Sequence, residues 1–252
     1  MVIFQRENSP MTTRFCIVRH GETAWNAEMR VQGQLDIPLN ATGRWQAKKV
    51  ADVLIGVEFD AVVSSDLLRA LETAQLSIVR NGVSSSATAK SASFVRPPCS
   101  AVVTGVVVVS SAPTGEIQLH PELRERHYGK FQGLKYVEAQ AQFPEDFAAH
   151  QYRHLEFAYG SGESLSNFAA RVSKVMSALA EQHAGNTVLV LTHGGVLDVI
   201  YRMATGLPLQ APRNFPIPNA AINWLEHANA QWSVIDWANC AHLERALDEL
   251  AP

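Results

Sequence analysis

The sequence contains no apolar run that approaches the roughly 20 residues needed to cross a bilayer, so no membrane span is expected. Cysteine is scarce: Cys16, Cys99 and Cys240 are odd in number and far apart. They make no CxxC pair and no Cys/His cluster, which argues against a zinc site or any other resident metal. Isolated thiols also point to a reducing cytoplasm. There is no long basic block, and the net charge is -3, so a nucleic-acid partner has no electrostatic support. Residues 1–13 lack the apolar centre of a secretory signal and read as a flexible tail, with Met11 an alternative start. What is present in quantity is core material. The chain has 252 residues, of which 47% are hydrophobic and 18% charged, enough for one large domain or two small ones. No internal linker interrupts it, so residues 14–252 are read as one domain.

The most informative stretch is Phe15 to Asn26. Phe15–Val18 is a short apolar run, the mark of a buried strand. It is followed by Arg19, His20 and Gly21. A strand that delivers reactive side chains at its C-terminal end is the usual location of an α/β active site. A neutral imidazole at His20 can act as a nucleophile near pH 7. The Arg19 guanidinium offers a fork of donors to phosphate oxygens. A second stretch repeats this logic. Val188–Leu191 is apolar and ends in Thr192, His193, Gly194 and Gly195, so two strand-terminal histidines can face each other across one pocket.

Between them, strands alternate with helical patterns, which favours a mostly parallel sheet covered on both faces. Asn40 or Thr42 can cap a helix starting near Gly43, and Phe59–Ser64 reads as a strand. Ser65 or Asp66 can cap the next helix, placing Arg69 in its first turns. A cation there opposes the macrodipole unless an anion binds beside it. Leu134–Phe147 and the residues after it read as helical with a break at Pro144. Leu165–His183 is helical, and a further helix runs from Val196 to Met203. Ile222–Leu225 and Trp232–Trp237 form a hairpin, and Leu243–Leu250 is a last helix. Trp224, Trp232 and Trp237 can pack internally or against a second copy in a homodimer. Residues 81–116 stand out, with a Ser/Ala-rich run, Pro97-Pro98 and the valine-rich Val102–Val109. They carry no evident chemistry and are expected at the sheet edge or over the pocket. Leu119–Gly133 is dense in ionisable groups, including Glu122, Arg124, Glu125, Arg126 and His127, and reads as a loop lining a site.

Taken in order, Arg19-His20-Gly21-Glu22-Thr23 with Trp25-Asn26, Ser64 to Ala70 with Thr73-Ala74, Glu122 to Gly129, Gly162-Glu163-Ser164 and Thr192-His193-Gly194-Gly195 resemble the histidine phosphatase superfamily, the phosphoglycerate mutase-like proteins. The resemblance implies a three-layer α/β sandwich with a mostly parallel central sheet flanked by helices. It implies that His20 is phosphorylated during turnover, that Arg19, Arg69 and a protonated His193 surround the phosphate, and that Glu125 donates the proton. It places Thr23, Asn26, Glu163 and Gly194 among the phosphate- and substrate-binding positions. It implies a phosphomonoester as the small-molecule partner and no cofactor. Phosphatases and mutases share this core. Tyr136–Tyr159 holds a single arginine, Arg153, among several acidic groups, where a mutase needs extra cations for a substrate carboxylate, so hydrolysis is expected.

Overall fold

A computed structural model describes residues 11–78, 106–108 and 116–244. In chain order these form β1 (Thr13–Arg19), α1 (Ala24–Ala27), α2 (Ala41–Val53), β2 (Ala61–Ser64), α3 (Leu68–Ile78), β3 (Val106–Val108), β4 (Glu116–Leu119), α4 (Tyr136–Gln142), α5 (Pro144–Gln151), α6 (Leu165–Gln182), β5 (Thr187–Thr192), α7 (Gly194–Thr205), β6 (Ile222–Ala228), β7 (Gln231–Asn239) and α8 (Ala241–Glu244). The strands make one sheet in the order β3-β4-β2-β5-β1-β6-β7. The four central strands are parallel, and antiparallel strands close both edges.

Three layers follow from side-chain alternation along the strands. Phe15 and Ile17 of β1, Val63 of β2 and Val188 and Val190 of β5 face one side, where Phe168, Val172, Met176 and Leu179 of α6 and Leu197 and Ile200 of α7 cover them. Cys16, Val18, Val62, Leu189 and Leu191 face the other, against Val50 of α2 and Leu71, Ala74 and Ile78 of α3. Both faces are buried, which is why these strands read as continuous apolar runs. A smaller cluster, Val31, Phe131, Ala139, Phe147 and Tyr159, packs apart from the main core.

Boundaries shift where side chains cap better than expected. The helix at Gly43 starts two residues earlier, because the Asn40 side chain accepts the Gly43 N–H at 2.7 Å. At α3, the Leu68 N–H is donated to Asp36 Oδ1 at 2.7 Å, a partner 32 residues away that no local pattern reveals. Pro144 separates α4 from α5 by taking the first helical position of α5. β1 begins at Thr13, inside the stretch read as tail. Its side chain is buried and donates to the Ala180 carbonyl at 3.3 Å. The three tryptophans are committed within the chain: Trp232 against Phe15 at 5.1 Å, Trp224 against Phe59 at 6.3 Å, and Trp237 against Tyr201 at 4.7 Å. From the 81–116 stretch, Val106–Val108 forms the edge strand beside β4, with Val107 opposite Ile117. The Ser/Ala-rich part of that stretch and the helix expected beyond Glu244 lie outside the described residues.

Candidate active site

Strand register assembles the site. Arg19 at the end of β1 pairs with Thr192 at the end of β5, and the His20 N–H donates to the Thr192 carbonyl at 2.9 Å. Ser64 at the end of β2 pairs with Leu191, and the Ser65 N–H donates to the Leu191 carbonyl at 2.9 Å. Three parallel strands therefore end level, and the residues just beyond them meet. The His20 and His193 rings lie 5.2 Å apart, and His193 Nε2 sits 2.8 Å from Ser65 Oγ. His20 Nδ1 lies 2.7 Å from the Gly21 carbonyl. A carbonyl only accepts, so Nδ1 carries the proton and Nε2 keeps its lone pair.

The loop after His20 is held from both sides. Thr23 caps α1 in a reciprocal box with Asn26, each side chain accepting the other's backbone N–H at 3.1 Å. Asn219 Nδ2 donates to the His20 carbonyl at 2.9 Å and lies 3.4 Å from Asn26 Oδ1. Gly21 and Gly43 pass so closely that a Cβ on Gly21 would sit 2.4 Å from the Gly43 carbonyl oxygen.

Arg69, on the first turn of α3, is almost fully buried and donates to the Leu35 and Gly33 carbonyls at 2.9 and 2.7 Å. Those carbonyls offset the unfavourable helix-dipole position. Arg19 Nη1 donates to the Ile217 carbonyl. Both guanidinium groups still hold a buried Nε–H without a partner, and His193 Nδ1 is a third buried nitrogen in the same condition. Burial and the Arg69 and Arg19 charges push both histidines well below the ordinary value of about 6.5. His193 is therefore held towards its neutral form in the free protein; the protonated form expected from the sequence belongs to the phosphate-bound site. A phosphate dianion placed among these groups reverses the sign of the local field and favours its protonation.

Glu125 is docked on the first turn of α7. Its Oε2 accepts the Gly195 N–H at 2.9 Å and its Oε1 the Arg126 N–H at 2.8 Å. A Cβ at position 195 would lie 2.1 Å from Oε1, so a larger residue there would push the Glu125 carboxylate out of this position. Arg19, His20, Asn26, Arg69 and Glu125 line one cavity of about 280 Å³ together with Trp25, Met29, Arg30, Val31, Gln32, Gly33, Tyr128 and Tyr136. It has a cationic floor and a mixed wall in which the Trp25, Tyr128 and Tyr136 rings stand beside Asn26, Arg30 and Gln32. His193 lies behind the floor. Thr23 acts as the cap of α1, and Gly194 opens α7 beside the Arg19 guanidinium, where a Cβ would make ordinary contact at 3.4 Å. Glu163, expected at the substrate, does not line the cavity. Both its carboxylate oxygens bind Arg171, at 2.9 and 2.8 Å. The wall residues Met29, Arg30 and Tyr136 and the brace Asn219 were not singled out by sequence reasoning. Met29, Arg30 and Asn219 lie in aperiodic segments and Tyr136 opens α4, and the only signal was an aromatic residue, Trp25, next to the motif. Among the described residues, no group of three or more His, Cys, Asp or Glu side chains is arranged to hold a metal ion, and no helix is long and apolar enough to cross a membrane.

Comparison with known proteins agrees with this geometry. The family model for the histidine phosphatase superfamily, branch 1, matches residues 15–89 and 106–240. The chain belongs to the histidine phosphatase superfamily. The gap in the superfamily match, 90–105, falls inside the unusual 81–116 stretch. Within the superfamily, the chain is 33% identical over 234 residues to a metal-independent phosphoserine phosphatase of Arabidopsis thaliana, covering 92% of this chain and 83% of that protein. It is 32% identical over 231 residues to phosphoglycerate mutase-like protein 4 of the same plant, covering 90% and 86%. Among solved structures, YhfR of Bacillus stearothermophilus superposes with a TM-score of 0.74 at 27% identity, covering 92% of this chain and 99% of that one.

Proposed function

We propose that this protein is a metal-independent phosphomonoesterase that hydrolyses a small phosphorylated metabolite through a phosphohistidine on His20. The observation that carries this is the neutral His20, its Nε2 lone pair free, lining one cavity with the Arg19 and Arg69 guanidinium groups and Glu125. A nucleophile set between two cations and a carboxyl group fits a phosphoryl group with three equatorial oxygens. His20 Nε2 attacks phosphorus and the ester oxygen departs. Arg19, Arg69 and a His193 protonated on binding stabilise the charge that develops, which is most of the catalysis in phosphoryl transfer. Glu125 gives the leaving oxygen its proton. Two backbone N–H groups fix its carboxylate in the cavity that also holds His20, Arg19 and Arg69. In the second step Glu125 takes a proton from water, water oxygen bonds to phosphorus and the bond to His20 breaks. The sum is ester plus water giving alcohol plus phosphate.

The Arabidopsis relative puts phosphoserine on the substrate panel, and the aromatic wall adds monoesters with larger alcohols. Residues 14–252 act as one catalytic domain. The free thiols of Cys16 and Cys240 favour a reducing setting, the cytoplasm. His20→Ala is expected to lower turnover by at least about 10³-fold on every monoester, since it removes the nucleophile. Circular dichroism and melting should show a folded protein. Acid-labile phosphate on wild type, absent from the variant after brief exposure to substrate, reports the intermediate. A folded His20→Ala protein with near-native turnover would refute the mechanism.

A further inference from the structure

The segment bearing Glu125 has little regular structure of its own, yet every backbone carbonyl from Glu122 to Glu125 accepts a bond from a distant side chain. Leu123 O accepts from Thr192 Oγ1 at 3.0 Å, and Glu125 O from Gln34 Nε2 at 3.1 Å. The other two are taken by a single nitrogen. Arg171 Nη1 donates to Glu122 O at 2.5 Å and Arg124 O at 3.1 Å. The opposite edge of the same guanidinium grips both oxygens of Glu163. Glu163 in turn holds the far side of the segment: its N–H donates to the His127 carbonyl at 2.8 Å, its carbonyl accepts from Arg126 Nε at 2.9 Å, and its Oε2 lies 3.4 Å from the His127 N. Arg171 stands on α6, an 18-residue helix packed into the core, with its guanidinium over the Phe168 ring at 5.1 Å.

We propose that Arg171 is a positioning residue for Glu125, clamping the chain on both sides of it through Glu163 and the Glu122 and Arg124 carbonyls. This rests on the reading of Glu125 as proton donor. Arginine is required because only a planar fork serves a carboxylate and two carbonyls at once; a lysine ammonium is a single point charge. Arg171 does not line the cavity, and it reaches the phosphate cradle only through its charge, one of several that hold the His193 pKa down. A carboxyl displaced by about 1 Å costs on the order of 10²-fold in the step it serves.

The test compares an alkyl monoester, phosphoserine, which needs a proton on its leaving oxygen, with 4-nitrophenyl phosphate, which does not. kcat/KM is the readout because it reports the phosphorylation step. Arg171→Met should lower kcat/KM for phosphoserine by roughly 30- to 100-fold and for the nitrophenyl ester by less than about threefold. Inhibition by inorganic phosphate should stay within about twofold, and Arg171→Lys should recover only part of the loss. In a Glu125→Gln background, Arg171→Met should add less than about twofold on phosphoserine, because the group it positions is gone. Glu163→Gln, which keeps the side-chain volume, should reproduce the selective pattern at smaller size, and it carries the test if Arg171→Met does not fold. Equal losses on both substrates, no loss on either, or full additivity with Glu125→Gln would overturn the proposal. Loss of selectivity in Glu125→Gln alone would instead overturn the acid assignment, so the two failures are distinguishable.

Discussion

His20 must offer a lone pair to phosphorus while it stands beside two guanidinium groups, and burial makes that possible. A protonated imidazole there would have to shed water next to Arg19 and Arg69, so the neutral form is held over the physiological range. The same holds for His193. In the folded protein the ring signals of these two histidines, followed by nuclear magnetic resonance, should therefore not titrate between pH 8 and about pH 5.5, whereas an ordinary histidine has its midpoint near 6.5. The sign of the linked stability follows. Below about 6.5 the unfolded chain binds protons at these positions and the folded chain does not, so stability is full above that value and falls as pH is lowered through it. A midpoint at or above 6.5 for His20 would remove the neutral nucleophile. At this scale much was legible. His20, Arg19, Arg69, Glu125 and Asn26 were found from strand ends and motif order, and they share one cavity. The misassigned residue was Glu163. A carboxylate near a motif looks the same in sequence whether it faces substrate or an arginine on another helix, and its partner, Arg171, was read only as part of a helix.

Elements with a period were legible and elements without one were not. The core strands, α6 and the β6–β7 hairpin appear close to where apolar spacing put them, because burial of one or both faces fixes the pattern. The segment from Trp25 to Leu39, which supplies one wall of the cavity and the carbonyls that hold Arg69, has no such spacing. Its shape is set by bonds to remote groups, such as Gln34 N–H to Gln132 Oε1 at 2.9 Å. The valine-rich part of 81–116 shows the other side of this rule, since β-propensity there produced an edge strand, β3, as one of the two readings allowed. β3 is outermost, and β4 stays paired with β2 without it, at Val62–Ile117 to Ser64–Leu119. The strands that end at His20 and His193, the helix bearing Arg69 and the bonded segment bearing Glu125 keep their own partners. Deleting Ser84–Ser111 is therefore expected to cost on the order of 1 kcal/mol, a fall in Tm of about 2–4 °C, with kcat/KM within about threefold. A drop beyond tenfold in a folded deletion variant would place the insertion in the working site.

For the molecule as a whole, the question is whether the phosphohistidine is passed to water or returned to a carboxylate-bearing alcohol. A mutase needs cations for that carboxylate beyond the ones that hold the phosphoryl group. The arginine that the Tyr136–Tyr159 stretch provides is spent elsewhere: Arg153 binds Asp198 Oδ2 and the Leu209 carbonyl, each at 2.5 Å, and Asp198 is shared with Arg202. Of the cations lining the cavity, Arg19 and Arg69 belong to the floor. Arg30 is engaged with Glu28 at 3.1 Å, with the Gly133 carbonyl and with the Trp25 ring at 5.7 Å. Exposed Arg213 acts on Arg19 through its charge without lining the cavity. The rest of the wall adds no further cation for a carboxylate, and its Trp25, Tyr128 and Tyr136 rings can pack an apolar or aromatic alcohol. With 3-phosphoglycerate the protein is thus expected to release phosphate, slowly, and to form no 2-phosphoglycerate, even when primed with 2,3-bisphosphoglycerate. Release from a good monoester should be unchanged by a chelator, because the floor supplies its charge from Arg19 and Arg69. Both products can be followed in one sample by phosphorus resonance. Primed isomerisation faster than release would mean that Arg30 or Arg213 leaves its present contacts to take the carboxylate, and that the cavity wall closes over the phosphohistidine against water.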